Sequence, residues 1–277
     1  MGSKAKLANE IISLFPQKFN TYYEPFFGSG SVFFKLQPSV AVCSDLMSEP
    51  ISLMRAIKDE PELLYKKFVK LADRLWDEGE AWYYSVREKY NNEKEIMLNV
   101  DRAAYFVFLL RAGFNGVIRF NLNNDWNVSY GKRGSKLNKN TKIYSSEFFN
   151  ELKTYSDFLR EGSKKFLISD FKNIIELAGK NDLIYADPPY TQTQMLSYKR
   201  YNMTWSSEND IELHDSLSRA VKRGAFFVLS NIFKYKNMKN NSLLKLYQGF
   251  KTKIIKHEYV VGPNSKARQH VEEILIY

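Results

Sequence analysis

The chain has only one cysteine and three histidines among its 277 residues. With Cys43 as the lone thiol, neither an intrachain disulfide nor a thiolate metal cluster can form, which points to a reducing compartment. His214, His257 and His270 are scattered rather than grouped at ligand spacing, so no metal is expected. No apolar run approaches the ~20 residues a membrane helix needs. The opening MGSKAKLANEIISLFP has no apolar core long enough for a secretion signal. These absences predict a cytoplasmic protein with no membrane association. Glycine and proline, at 13 and 8 residues, are too scarce for a low-complexity chain. Acid is also in deficit: 31 Asp and Glu against 41 Lys and Arg leave a formal charge of +10. Such a surface attracts polyanions, nucleic acid among them.

What is present reads as an α/β protein. Leu7, Ile11, Ile12 and Phe15 have helical spacing, which predicts a helix from Lys4 to Phe15, stopped by Pro16. TYYEPFF reads as a strand, GSGS as a tight turn, VFFKL as a helix, and Val40 to Asp45 as a buried strand. Strand, glycine turn, helix and strand open a doubly wound sheet. From about Pro50 the texture changes. Leu53 to Trp76 and Arg102 to Leu110 read as helices, followed by a stretch rich in Asn, Gly and basic residues. Residues 55–155 are therefore read as an insert with its own core, and residues 1–54 and 156–277 as the sheet domain. The sheet pattern resumes with KFLISD, DLIYAD and AFFVLSN. Between the last two, a helix is capped near Ser206 or Ser207. KIIKHEYVV and VEEILIY close the chain as an antiparallel hairpin.

Two turns carry chemistry. In EPFFGSGSVFF, Gly28 and Gly30 let backbone approach a ligand closely. Asp45, ending the next strand, is placed to accept from ribose hydroxyls. Phe33 stands where a GxGxxG would end, and no GxxxxGK[ST] occurs, which argues against NAD and ATP. The second turn is DPPY, Asp187 to Tyr190, after the strand LIYA. Two prolines fix two φ angles and remove two donors, and the residue before each is pushed to an extended conformation. The result is a stiff turn presenting one carboxylate, a proline carbonyl and one ring. The carboxylate and carbonyl can accept both N–H bonds of an amino group on a flat base, while the ring stacks on that base.

DPPY, EPFFGSGSVFF and the end of the chain together resemble the Dam-type DNA adenine-N6 methyltransferases, nearly end to end and in the family's order. The resemblance implies a Rossmann-like, S-adenosylmethionine (SAM)-dependent methyltransferase sheet with a C-terminal antiparallel hairpin, plus a mainly helical target-recognition insert. It implies methyl transfer from SAM to adenine N6 in double-stranded DNA, with base flipping and no metal, by a protein that is a monomer in solution. Asp187, Pro188, Pro189 and Tyr190 take the catalytic role, with Asp187 as hydrogen-bond acceptor. GSK resembles the family's N-terminal cofactor motif, in which Lys4 pairs with the methionine carboxylate. ISDF resembles the segment whose acid, here Asp170, accepts from the cofactor's adenine, with Phe171 packed nearby. Glu24, Pro25, Phe26, Gly28, Ser29, Gly30, Ser31, Asp45 and Leu46 complete the implied cofactor site, together with Asp187.

RAGFNGVIRFN resembles a DNA-contacting segment of the same family. It implies DNA contacts at Arg111, Phe114, Asn115, Val117, Arg119 and Asn121. Phe114 and Val117 suit wedging into the stack, and Arg119 suits a guanine edge. WNVSYGK resembles the family's FNVPFGK, with Ser129 in place of proline. Lys132, Arg133, Lys136, Lys139 and Lys142 crowd an acid-free stretch and read as phosphate contacts. Two alternatives stay open: a methyltransferase acting on cytosine N4 or an RNA base, and a catalytically inactive relative that binds DNA or SAM. The aspartate of the DPPY turn and the insert favour adenine in DNA.

Overall fold

A computed structural model of the chain describes residues 4–131, 146–190, 205–235, 238–260 and 268–277. The side chains of 146, 235, 257–260 and 268–270 fall outside that description. Two compact units are formed, one from the described residues of Met47–Phe166, the other from those of Gly2–Leu46, Leu167–Lys199 and Met203–Tyr277.

The second unit is built on a sheet. Its strands are β1 (Tyr22–Glu24), β2 (Val40–Asp45), Leu167 and Ile168 of β3 (Ser163–Ile168), whose earlier residues fall in the first unit, β4 (Leu183–Ala186), β5 (Phe226–Tyr235), β6 (Met238–Lys239), β7 (Thr252–Val260) and β8 (Arg268–Ile276). The order is β3-β2-β1-β4-β5-β8-β7, with β6 paired to β5. β1 pairs in parallel with β2 and β4, and β4 with β5. β8 runs antiparallel between β5 and β7. Every residue of β1 and β4 is buried, as expected for parallel strands covered on both faces. The parallel strands thus bring their carboxyl ends to one edge, where open α/β sheets hold ligands.

Short helices complete this unit: α1 (Ala8–Ile12), α2 (Ser31–Leu36), α7 (Phe171–Ile175), α8 (Ser207–Lys222) and α9 (Asn241–Leu246). The helix expected from Lys4 to Phe15 is instead a 3-10 turn, Lys4–Lys6, followed by α1. Leu7 and Ile11 are buried, whereas Ile12 and Phe15 are only partly covered, so the apolar stripe anchors one short turn of chain. β1 is shorter than TYYEPFF suggests, because the prolyl residue Pro25 ends it. Ser206 caps α8 through a reciprocal capping box with Asn209.

The first unit is helical: α3 (Ser48–Asp59), α4 (Pro61–Glu93), α5 (Asn99–Ala112) and α6 (Ser146–Arg160). The single helix expected over Leu53 to Trp76 is two helices. Glu60, held out of helical geometry at φ −136° and ψ 49°, precedes Pro61, which opens α4 at its first turn. Gly79 (φ 60°, ψ −136°) kinks α4 and divides it into two helical stretches. Phe68, Leu71, Tyr83, Tyr90, Phe106 and Trp126 fill the core. The loop after α5 is held by bridges Gly113–Tyr130 and Phe120–Trp126. The Tyr83 hydroxyl donates to the Val128 carbonyl at 2.9 Å, and its desolvation raises its pKa to about 12.

Candidate active site

The glycine turn leaves β1 at Glu24. Gly28 and Gly30 both have positive φ, +49° and +63°. A Cβ on Gly30 would lie 2.4 Å from the Phe27 ring, so only glycine fits; beside Gly28 a Cβ would meet nothing within 4 Å. Asp45, at the end of β2, accepts the Gly28 amide at Oδ2 over 2.8 Å. The turn and the acid are therefore joined. Pro25 is buried behind the turn and accepts from the Ser44 hydroxyl. The Ser29 and Ser31 hydroxyls lie 2.8 Å apart at the mouth of α2. Glu24 is buried, with Oε2 accepting from the Tyr22 hydroxyl at 2.9 Å. Burial holds its carboxyl well above the ordinary range despite the Tyr22 and Phe33 donors.

A group of rings adjoins the turn. Phe26 stacks on Phe171 with centroids 5.3 Å apart and a 28° tilt. Trp205 meets both rings at 5.6 Å, and its indole N–H donates to Asp210 at 2.7 Å. Asp170 caps α7, accepting the Lys172 amide at Oδ1 over 2.9 Å. Leu46, after β2, is 53% exposed, a large apolar side chain open at the carboxyl edge. The donor set suits an adenosyl group: backbone that only glycine can provide, an acid at the strand end, a further acid and apolar surface.

The DPPY turn leaves β4 at the same edge. Asp187 Oδ1 accepts from the Tyr190 hydroxyl at 2.7 Å and from the Ser230 hydroxyl of β5 at 3.0 Å. Since Ser230 donates there, the Tyr185 hydroxyl donates to Ser230 across their 3.0 Å contact. Pro188 is buried and Pro189 partly so. Lys4 joins this turn: Nζ lies 2.5 Å from the Tyr190 hydroxyl, 3.4 Å from Asp187 Oδ1 and 2.6 Å from Glu273 Oε2. Burial alone would lower the Lys4 pKa, but the two carboxylates outweigh it and the ammonium is held above the ordinary lysine value. Asp187 is nonetheless raised, by burial first; Lys4 opposes this, and Glu273 adds to it. The two directions are compatible because one ammonium serves two carboxylates and sits closer to Glu273.

Sequence reasoning gave no role to Ser230, Glu273 or Trp205. Glu273 had a visible signal: on β8 it shares a face with Val271 and Leu275, both fully buried. An acid in that row needs a partner.

In the helical unit, Phe114 is 54% exposed, and Asn115 adopts a left-handed φ of 55°. Val117 is partly exposed on the same loop, and the Phe114 amide donates to the Ser129 carbonyl. Arg119 is exposed, with Nε and Nη2 donating to the side chain and carbonyl of Asn127, each at 2.7 Å. Asn121 closes a local turn: its Oδ1 accepts the amides of Asn123 and Asp125. Arg111 is part-buried near the Phe148 ring, with desolvation lowering its pKa. Lys132, Arg133, Lys136, Lys139 and Lys142 lie outside the described residues. Among the described residues no group of three or more His, Cys, Asp or Glu is arranged to hold a metal, and no helix is long and apolar enough to cross a membrane.

Comparison with known proteins matches residues 1–261 to the model of the D12 class N6 adenine-specific DNA methyltransferases. The chain is similar to a Type II methyltransferase, M1.LlaDCHI, of Lactococcus lactis subsp. cremoris, at 31% identity over 99% of this chain and 92% of the relative. It is also similar to the DNA adenine methylases of Haemophilus influenzae (27% identity; 99% of this chain, 90% of the relative) and Escherichia coli K12 (25%; 99% and 91%).

Proposed function

The chain belongs to the D12 class N6 adenine-specific DNA methyltransferases, and on that premise we propose that it is a site-specific enzyme that methylates N6 of a flipped adenine in duplex DNA. The observation that carries the chemistry is the anchored carboxylate of the DPPY turn, with Asp187 Oδ1 held by Tyr190 and Ser230. SAM, when bound, supplies an electrophilic methyl group and leaves as S-adenosylhomocysteine.

The chain's own residues do the rest. An adenine amino nitrogen is a poor nucleophile because its lone pair is delocalised into the ring. Asp187 and the Pro188 carbonyl accept its two N–H bonds and favour a pyramidal nitrogen whose lone pair is available; once methylated, the nitrogen loses one of those protons to solvent. Tyr190 stacks on the base once it has left the duplex. Positioning and preorganised electrostatics supply the rate enhancement. Gly28, Gly30 and Asp45 would hold the ribose portion of the cofactor, with Lys4 assigned to its methionine carboxylate. Asp170, Leu46 and the Phe26–Phe171 pair would hold its adenine.

Recognition is assigned to the helical unit. Phe114 and Val117 suit contact with the stack, Arg119 a base edge, and Lys132, Arg133 and Lys136 phosphates. The enzyme is read as a monomer. The test is incubation of the purified protein with methyl-labelled SAM and duplex DNA, followed by nucleoside analysis. Label in N6-methyladenine supports the reading; SAM and DNA binding without transfer overturns it.

A further inference from the structure

We propose that Glu273, on the last strand and outside both turns, is a positioning residue for methyl transfer: it anchors Lys4 against the DPPY turn and so leaves Oδ2 of Asp187 as the acceptor for the substrate amino group. This rests on the reading of Asp187 as the catalytic acceptor. The geometry is specific. Glu273 is 1% exposed and Lys4 7%, and their 2.6 Å contact joins residues 269 positions apart. Two long side chains from opposite ends of the chain are thus fixed behind one turn. From there Lys4 donates to the Tyr190 hydroxyl at 2.5 Å, which makes that hydroxyl's own proton available to Asp187 Oδ1 at 2.7 Å.

Every contact to Asp187 from this set falls on Oδ1: Tyr190, Ser230 and Lys4. Oδ2 makes no hydrogen bond or ion pair among the described residues. One oxygen is therefore an anchor and the other a working acceptor, an orientation a lone carboxylate on a turn would not keep. Without Glu273, Lys4 is free to collapse onto Asp187. A cation that close would occupy the acceptor in place of the substrate N–H. Among the described residues, the groups facing Asp187 are Lys4 from the N-terminal turn, Tyr190 from its own turn, Ser230 from β5, Tyr185 from β4, Glu24 from β1 and Glu273 from β8. Of these, Glu273 is the carboxylate that shares Lys4 and keeps the ammonium beside Oδ1 rather than closer in.

The test is Glu273→Gln, which keeps size and an acceptor oxygen but removes the charge. In a parent that methylates adenine, the variant should lose about 10- to 100-fold in kcat, as misplacement of a reacting group does. KM for DNA should stay within about threefold, the pattern of an interaction used in the chemical step. The acid limb of kcat/KM should move to lower pH, because a like charge near Asp187 is gone and Lys4 pairs with it more closely. A merely structural role would lower stability and leave kcat per folded molecule as it was, so the fall in kcat at kept KM is the readout that separates the two. If the variant does not fold, the pair Lys4→Met and Glu273→Met removes both buried charges together, a change often neutral or stabilising. Folded protein with kcat lost and SAM affinity kept supports the proposal, because the Tyr190 hydroxyl has then lost the ammonium that orients it. Parental kcat in either variant, or an unmoved acid limb in Glu273→Gln, overturns it. A parent that transfers no methyl group would instead overturn the functional reading itself.

Discussion

Tyr190 donates its hydroxyl to Oδ1 of Asp187 over 2.7 Å, three residues away across two prolines. The turn therefore grips its own carboxylate. The prolines fix the backbone, and the ring that would stack on a base also orients the acid that would read it. Asp187→Ala should abolish methyl transfer, because stabilisation realised at the transition state is lost, at about 3–4 kcal/mol for one preorganised partner. SAM binding, measured by calorimetry, should be largely spared. Turnover within tenfold of the parent would remove Asp187 from the mechanism.

The same carboxylate has a stability cost. Burial raises its folded pKa above the unfolded value, so the folded state binds the proton more tightly and the ionised form disfavours folding at neutral pH. Asp187→Asn keeps the acceptor oxygen for Tyr190 and Ser230 without the charge. Thermal melting at neutral pH should give a Tm equal to or above the parent's. Activity should be lost. A clear drop in Tm would mean that ionised Asp187 stabilises the fold. Lys4 has the opposite sign of consequence: its raised pKa contributes stability that is present at neutral pH and is lost as pH rises through the folded value.

Asp45 bonds the Gly28 amide in the protein itself, in addition to its proposed contact with the ribose. Asp45→Ala should weaken SAM binding by about 1.5–3 kcal/mol, the worth of a charge-assisted acceptor. Titration calorimetry checks it. Unchanged affinity would reduce Asp45 to a brace for the turn.

Gly30 separates shape from chemistry. With φ at +63° and Phe27 2.4 Å from a built Cβ, Gly30→Ala should destabilise by about 1–3 kcal/mol, the cost of local strain. It should also weaken SAM binding by displacing the turn. Denaturant unfolding and calorimetry read the two effects. A variant with parental values in both would show that the turn has room to shift.

Arg119 tests the recognition unit. If it reads a base edge, Arg119→Ala should cost about 1–3 kcal/mol against the cognate site only. Neutralising Lys132, Arg133 or Lys136 should weaken all duplexes alike and lower the salt slope by about one unit. Binding curves on matched and single-mismatch duplexes at two salt concentrations check both. Equal weakening by Arg119→Ala on every duplex would make it a phosphate contact, and its present bonds to Asn127 would have to break for either role.

Much of the sheet was legible because its signals are local. Val40–Asp45 forms β2 over the expected residues, and the closing hairpin is β7 with β8. Both turns could be read as well, since glycine and proline dictate backbone wherever they stand. The break at Glu60 was missed because amphipathic spacing runs on through Pro61. Proline at a first helical turn restarts the same pattern rather than ending it. Ser230 and Glu273 reach Asp187 only through strand order, β4 beside β5 beside β8. No local period encodes that adjacency. Lys4 was singled out, but its contact with Glu273 and the DPPY turn depends on the whole sheet.

The most direct test of the account is the chemical identity of the product. Duplex DNA carrying adenine and cytosine, treated with the protein and methyl-labelled SAM, is digested to nucleosides and separated by chromatography with mass detection. Label is expected in N6-methyladenine alone, and none with Asp187→Ala. Label in N4-methylcytosine, transfer to RNA in place of DNA, or no transfer by a protein that still binds SAM and DNA would contradict it.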